Sequence, residues 1–196
     1  MTLTYQTFLE TPTAAGFARL QRDLCREEDF RVDGAFVARL ARLWKQGRYE
    51  ELRSETAEMP YAWIASPAVH LLAALVAEKF GDHEEVELER FLCETMLQGL
   101  AESGNGTRKA PYRLTYLTDA ADLLAYFSLT PEKRRLVRAT SGHLDVVRTT
   151  TGDEICFLLP SGSVGQGVVD RPEPVLVPEL HFRMASSRFS AGRSPW

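Results

Sequence analysis

The chain has 196 residues, 44% hydrophobic and 26% charged, the balance of an ordinary globular protein. A formal net charge of −4 argues against a general nucleic-acid binder, because duplex binding needs Lys and Arg to neutralise phosphates. The first residues have no basic-then-apolar leader pattern, no stretch approaches the ~20 apolar residues of a membrane span, and Cys25, Cys93 and Cys156 lack zinc spacing. Together these predict a cytoplasmic protein with reduced thiols.

In chain order, Thr11-Pro12-Thr13 offers a cap hydroxyl and a first-turn proline, and Phe17, Leu20 and Leu24 follow at helical spacing. The spacing predicts a helix over 12–26, ended by the acidic run Glu27-Glu28-Asp29. Asp33 can cap a next helix carrying Phe36, Val37, Leu40, Leu43 and Trp44, stopped by Gly47. Glu50 and Glu51 then suit the first turn of a helix running to about Glu58.

The Gly47-Arg48-Tyr49-Glu50-Glu51-Leu52 segment recurs as Gly81-Asp82-His83-Glu84-Glu85-Val86, 34 residues on, which is the period of tetratricopeptide repeats. The second copy opens at Ser66-Pro67, and its first helix is apolar nearly all round, so deep burial is expected. A long helix follows from Asp82 to about Glu102 with Val86, Leu88, Leu92, Met96, Leu97 and Leu100 as its inner face. Ser103-Gly104-Asn105-Gly106 stops it. Two repeats are too few to bury their own faces. The groove positions projected from the register are Val37, Ala41, Trp44, Leu71, Leu75 and Glu78, mostly apolar, and predict a groove filled by the chain itself.

After Gly106 the period switches to alternation. Tyr112, Leu114 and Tyr116 predict a strand, and Thr118-Asp119 a cap for a short helix with Leu123, Leu124 and Phe127. Further strands are expected at 134–139, 144–148 and 155–159, with an antiparallel hairpin across Gly142. From Ser161 the composition turns to Gly, Ser, Pro and Arg. Val175-Leu176-Val177 and Leu180-His181-Phe182 are expected to pin part of the tail, and 185–196 to be mobile.

The expected fold is therefore α+β. A tetratricopeptide-like helical body (1–106) precedes a small antiparallel β-α-β-β-β lobe (107–160) and a Pro/Gly/Ser-rich tail (161–196). Residues 1–102 carry 11 Lys+Arg against 18 Asp+Glu, whereas 103–150 carry 8 against 4, so an acidic body meets a basic lobe.

The ordered layout resembles an uncharacterised bacterial family known only as a domain of unknown function. The resemblance rests on Tyr5/Leu9/Pro12/Thr13, Gly47/Tyr49, Ser66-Pro67/His70, Gly81-Asp82, Ser103-Gly104-Asn105-Gly106, Pro111-Tyr112, Gly142/Leu144/Asp145 and Glu154-Ile155-Cys156-Phe157. It covers residues 5–160 and departs at 116–121. It implies a fold and no mechanism.

Catalytic and metal motifs are outweighed by structural readings. Gly99 and Gly104 have phosphate-loop spacing but no Lys, and they end a helix. Gly162, Gly165 and Gly167 precede no helix. His83, Glu87 and His70 lack a further close ligand, and His70 reads as a packed core histidine. Cys93 lies ~15 Å of helical rise from His83. Ser141-Gly142-His143 with Asp145 reads as a turn. No catalytic residue, metal or cofactor is expected. The first functional reading is a non-catalytic adaptor with a protein partner, through Glu84 and Glu85 or the basic segment. The second is a site for an anionic ligand or nucleic acid on Lys133, Arg134, Arg135 and Arg138, and a hydrolase stands third.

Overall fold

The computed structural model describes residues 3–161, so the expectations for the tail beyond Ser161 lie outside the described residues. It opens with a helix that no cap in the sequence announces, α1 (Leu3–Glu10), burying Tyr5 and Phe8. The next, α2 (Ala14–Leu24), begins where Thr13 Oγ1 accepts the Gly16 N–H at 3.1 Å. One face of α2 buries Phe17, Leu20 and Leu24. Ala18, Gln21, Arg22 and Cys25 follow the i, i+3, i+4, i+7 spacing of another.

The helices α3 (Ala35–Lys45), α4 (Tyr49–Ala57), α5 (Pro67–Phe80) and α6 (His83–Glu102) each pack on the next in sequence. The repeated glycines end α3 and α5 as expected, with φ of 71° at Gly47 and 72° at Gly81. That left-handed step lets Arg48 N–H reach Leu43 O and Asp82 N–H reach Ala77 O, both at 3.0 Å, satisfying carbonyls the helix end would orphan. Glu50 and Glu51 fall in the first turn of α4, Glu84 and Glu85 in that of α6, each facing the positive dipole end.

Within the projected groove, Val37, Ala41 and Leu71 are buried and Leu75 partly so, whereas Trp44 is half-buried against Tyr49, with ring centroids 5.1 Å apart, and Glu78 is exposed. Phe36 of α3 packs against Trp63 with ring centroids 5.5 Å apart. Trp63, in the 3₁₀ turn Tyr61–Trp63, stacks on Tyr116 of the β lobe at 4.7 Å, and Tyr116 Oη donates to Ala62 O at 2.6 Å. One expectation for α6 fails. Leu88 points to solvent at 50% exposure, and Cys93 takes the inner position instead.

The lobe contains β1 (Tyr112–Arg113), α7 (Asp119–Tyr126), β2 (Pro131–Ala139), β3 (Gly142–Thr149) and β4 (Glu154–Leu158), in the sheet order β1-β4-β3-β2. The β2–β3 hairpin turns at Gly142 and is antiparallel, as is β3–β4. The sheet is nevertheless mixed, because β1 runs parallel to β4 with Tyr112 opposite Phe157. The strand expected over Tyr112–Tyr116 stops after two residues for a local reason. Asp119 Oδ2 accepts the N–H of Thr115 at 2.7 Å and of Tyr116 at 2.9 Å, so these amides cannot join a ladder.

Val147, Ile155 and Phe157 face the helices and join a hydrophobic core that begins at Tyr5. The opposite sheet face carries a smaller cluster of Leu144, Val146 and Cys156.

Candidate functional site: an arginine-lined groove

The charged residues singled out by sequence divide on the two sides of β2. Arg134 shares the helix-facing side with Asp145 and lies 3.4 Å from it. Arg135 faces the other way and binds Glu154 at 2.7 Å, and Arg108 approaches the same carboxylate at 3.6 Å. Arg135, the main cause, and Arg108 hold Glu154 below the usual carboxylate range. Strand alternation and cross-strand acids thus break the run Lys133–Arg138 into separate ion pairs, with Lys133 and Arg138 exposed on the edge strand. Glu84 and Glu85 are exposed at the start of α6, where burial, then Glu89 and Asp82, push the Glu85 carboxyl up. The structure does not bring the acidic pair and the basic segment into one site.

A different set of cations does converge. A groove of about 780 Å³ lies between α2, the loop after it and the β1/β4 end of the sheet. Its charged walls are Arg22, Arg26, Arg31 and Arg113, and no carboxylate lines it among the described residues. Its apolar lining includes Ala18, Phe30, Val32, Leu114 and Leu159.

Several local bonds hold this shape. The Gln21 side chain crosses from α2 to the sheet, donating from Nε2 to Arg113 O and Thr115 Oγ1, both at 3.0 Å. Arg113 N–H donates to Ser103 Oγ at 2.8 Å, so neither backbone group of this edge residue is open to an added strand. Leu117 N–H fastens the loop through Val32 O at 2.8 Å. Arg31 Nη1 donates to Glu28 O and Phe30 O, which fixes its guanidinium. Arg26 is highly exposed, 3.5 Å from Asp23. Glu27, Glu28 and Asp29 are exposed on the same loop but lie outside the lining.

Chemically, the groove presents guanidinium forks, which suit carboxylate and phosphate oxygens, above a surface that water wets poorly. Cys25 also lines it, but partial burial pushes its thiol up, away from the reactive thiolate form.

The other chemistry-bearing residues are spent inside the fold. His70 is buried, its Nδ1 2.6 Å from Glu89 Oε2 and its Nε2 2.8 Å from Ile64 O. Each ring nitrogen is thus engaged by an oxygen, and neither is left to ligate a metal. His83 is exposed at the start of α6. Cys93 is buried, and burial raises its thiol well above the ordinary value. Ser141 sits exposed at the hairpin tip, while Asp145 is committed to Arg134. Among the described residues no group of three or more His, Cys, Asp or Glu could hold a metal, and no helix is long and apolar enough to cross a membrane.

Beneath the lobe is a buried polar cluster. Asp119 and Asp122, one turn apart on α7, are both fully enclosed. Burial pushes Asp119 up to about 7, against the lowering effect of the Tyr116 and Thr115 amides. Burial and then Asp119 push Asp122 well up. Asp122 lies against the Ala68 N–H, so a carboxylate from α7 serves the N-terminus of α5, where the sequence led us to expect Ser66. The Ser66 hydroxyl makes no cap bond.

Sequence reasoning missed the groove. Its signal was Arg22 on α2, on the side away from Phe17, Leu20 and Leu24, with Arg26 four residues on in the turn that follows. Comparison with protein-family models, with curated proteins and with solved structures found no match.

Proposed function

We propose that the protein is a non-catalytic binding protein whose recognition element is the groove of Arg22, Arg26, Arg31 and Arg113, and whose ligand is an anion. The observation that carries this reading is four arginines around one concavity with no carboxylate among its described lining residues. The earlier candidate, Arg134 and Arg135, supports it less, since those side chains meet Asp145 and Glu154. Isothermal titration with sodium tripolyphosphate tests it. Binding should weaken steeply with added salt and fall at least tenfold in Arg22→Gln/Arg113→Gln, with Arg134→Gln/Arg138→Gln unchanged. No heat with the wild type at low salt would remove the proposal.

A second reading, a protein-interaction module, rests on one observation. Leu88 and Phe91, 50% and 51% exposed, fall with Glu84 at i, i+4 and i+7 on the outer face of α6. In this reading α3–α6 are two divergent tetratricopeptide-like hairpins whose inner face is filled, leaving the outer helix to meet a partner. The resemblance to the family of unknown function is part of the same proposal. A Leu88→Glu/Phe91→Glu protein that keeps its fold but retains every partner cross-linked by the wild type would defeat it.

A further inference from the structure

The groove has a second property beyond its charge. Apolar side chains line it together with the arginines. Phe30, Val32 and Leu159 are only partly buried, whereas Leu114 is almost fully enclosed. An ion such as phosphate would use the guanidiniums and leave that apolar lining in water. A ligand carrying an apolar body next to its charge would cover both.

Resting on the anion-binding reading above, we propose that the ligand is a free amphipathic anion, a phosphate or carboxylate head on an apolar body, held one per groove. The head is placed by Arg22 and Arg113 from the two walls, and the body lies along Phe30, Val32 and Leu159. Volume supports a single small molecule. About 780 Å³ falls within the roughly 300–1,000 Å³ of small-ligand sites. An extended peptide adding to the sheet edge is disfavoured, because Gln21 and Ser103 already occupy both backbone groups of Arg113. A concave site at the base of a loop is also a poor surface for lying flat on a membrane.

Each methylene moved from water onto that lining contributes roughly fourfold in affinity. Four of them amount to more than about a hundredfold. The test is calorimetric titration of the full chain with octyl phosphate below its micelle concentration, methyl phosphate, octyltrimethylammonium, tripolyphosphate and vesicles of phosphatidylglycerol. The proposal expects octyl phosphate to bind at least ~30-fold tighter than methyl phosphate, and octyltrimethylammonium not to bind. Arg22→Gln or Arg113→Gln should weaken octyl phosphate at least tenfold. Phe30→Ala, checked for an unchanged melting profile, should weaken octyl phosphate and leave tripolyphosphate alone. Should Phe30→Ala disturb the melt, Val32→Ala serves the same purpose.

Equal affinity for the octyl and methyl esters would overturn the amphipathic ligand while leaving the anion-binding reading intact. Silence with octyl phosphate and tripolyphosphate alike would end both. Binding to vesicles without binding to monomeric octyl phosphate would overturn the free-ligand proposal in favour of surface docking.

Discussion

Replacing Asp119 by Asn should stabilise the protein at pH 8 and flatten its dependence on pH. Asp119 is fully buried, and burial raises its carboxyl to about 7 in the folded state. In the unfolded chain the same group titrates near ~3.9. A folded value above the unfolded one means the native state binds the proton more tightly, so the contribution is complete below pH ~4 and is lost as pH rises through about 7. Between pH 5 and pH 8 this linkage removes about 2.5 kcal/mol of stability. Asn cannot ionise, and its amide oxygen can still accept from Thr115 and Tyr116 as Oδ2 does. It also removes the charge that helps raise Asp122, which works in the same direction. Urea titrations followed by circular dichroism at pH 5 and pH 8 would read the effect. The variant should lose at least ~1.5 kcal/mol less than the wild type across that interval. An unchanged pH slope, or a variant less stable than the wild type at pH 8, would refute the linkage reasoning.

Two further substitutions test how the lobe is joined to the helices. Tyr116→Phe removes the hydrogen bond to Ala62 O and leaves that carbonyl without its donor, so urea titration should show a loss of about 1–2 kcal/mol with the fold retained. Gly34→Ala should be markedly worse than Gly47→Ala or Gly81→Ala in the same assay. All three glycines have φ between 71° and 74°, but only at Gly34 would an added Cβ come within 2.6 Å of Thr118 Cγ2, while the other two face open space. The backbone cost of about 1 kcal/mol is common to the three, and the difference reads the contact between the start of α3 and the start of α7.

What was legible in the sequence was what local chemistry decides. Gly47 and Gly81 could be placed because a left-handed residue at a helix end favours glycine, and the Glu pairs behind them because a dipole end favours carboxylates. The inner face of α6 was legible as a period, except at Leu88, which lies at the edge of the apolar stripe. Tertiary substitutions were not legible. Ser66 and Pro67 form a convincing helix start, yet Asp122 arrives from α7 to meet the Ala68 N–H. Tyr112, Leu114 and Tyr116 alternate as a strand should, yet the Asp119 side chain takes the amides that would have extended it.

The site was hidden for a related reason. Lys133 to Arg138 is the densest basic run, but a strand sends alternate residues to opposite faces, where Asp145 and Glu154 meet them. Arg22, Arg26 and Arg31 are interleaved in sequence with Asp23, Glu27, Glu28 and Asp29, and Arg113 is more than eighty residues away. Only the fold sorts those charges, turning the arginines toward one concavity and leaving the loop carboxylates outside its lining.

The central claim is about where an anion lands, and nuclear magnetic resonance of methyl-labelled protein reads that directly. On adding tripolyphosphate or octyl phosphate, the methyl signals of Val32, Leu114 and Leu159 should shift, while those of Leu136 and Val137 on β2 stay in place. Shifts centred on Leu136 and Val137, with the groove signals unmoved, would contradict the account and return the site to the basic strand.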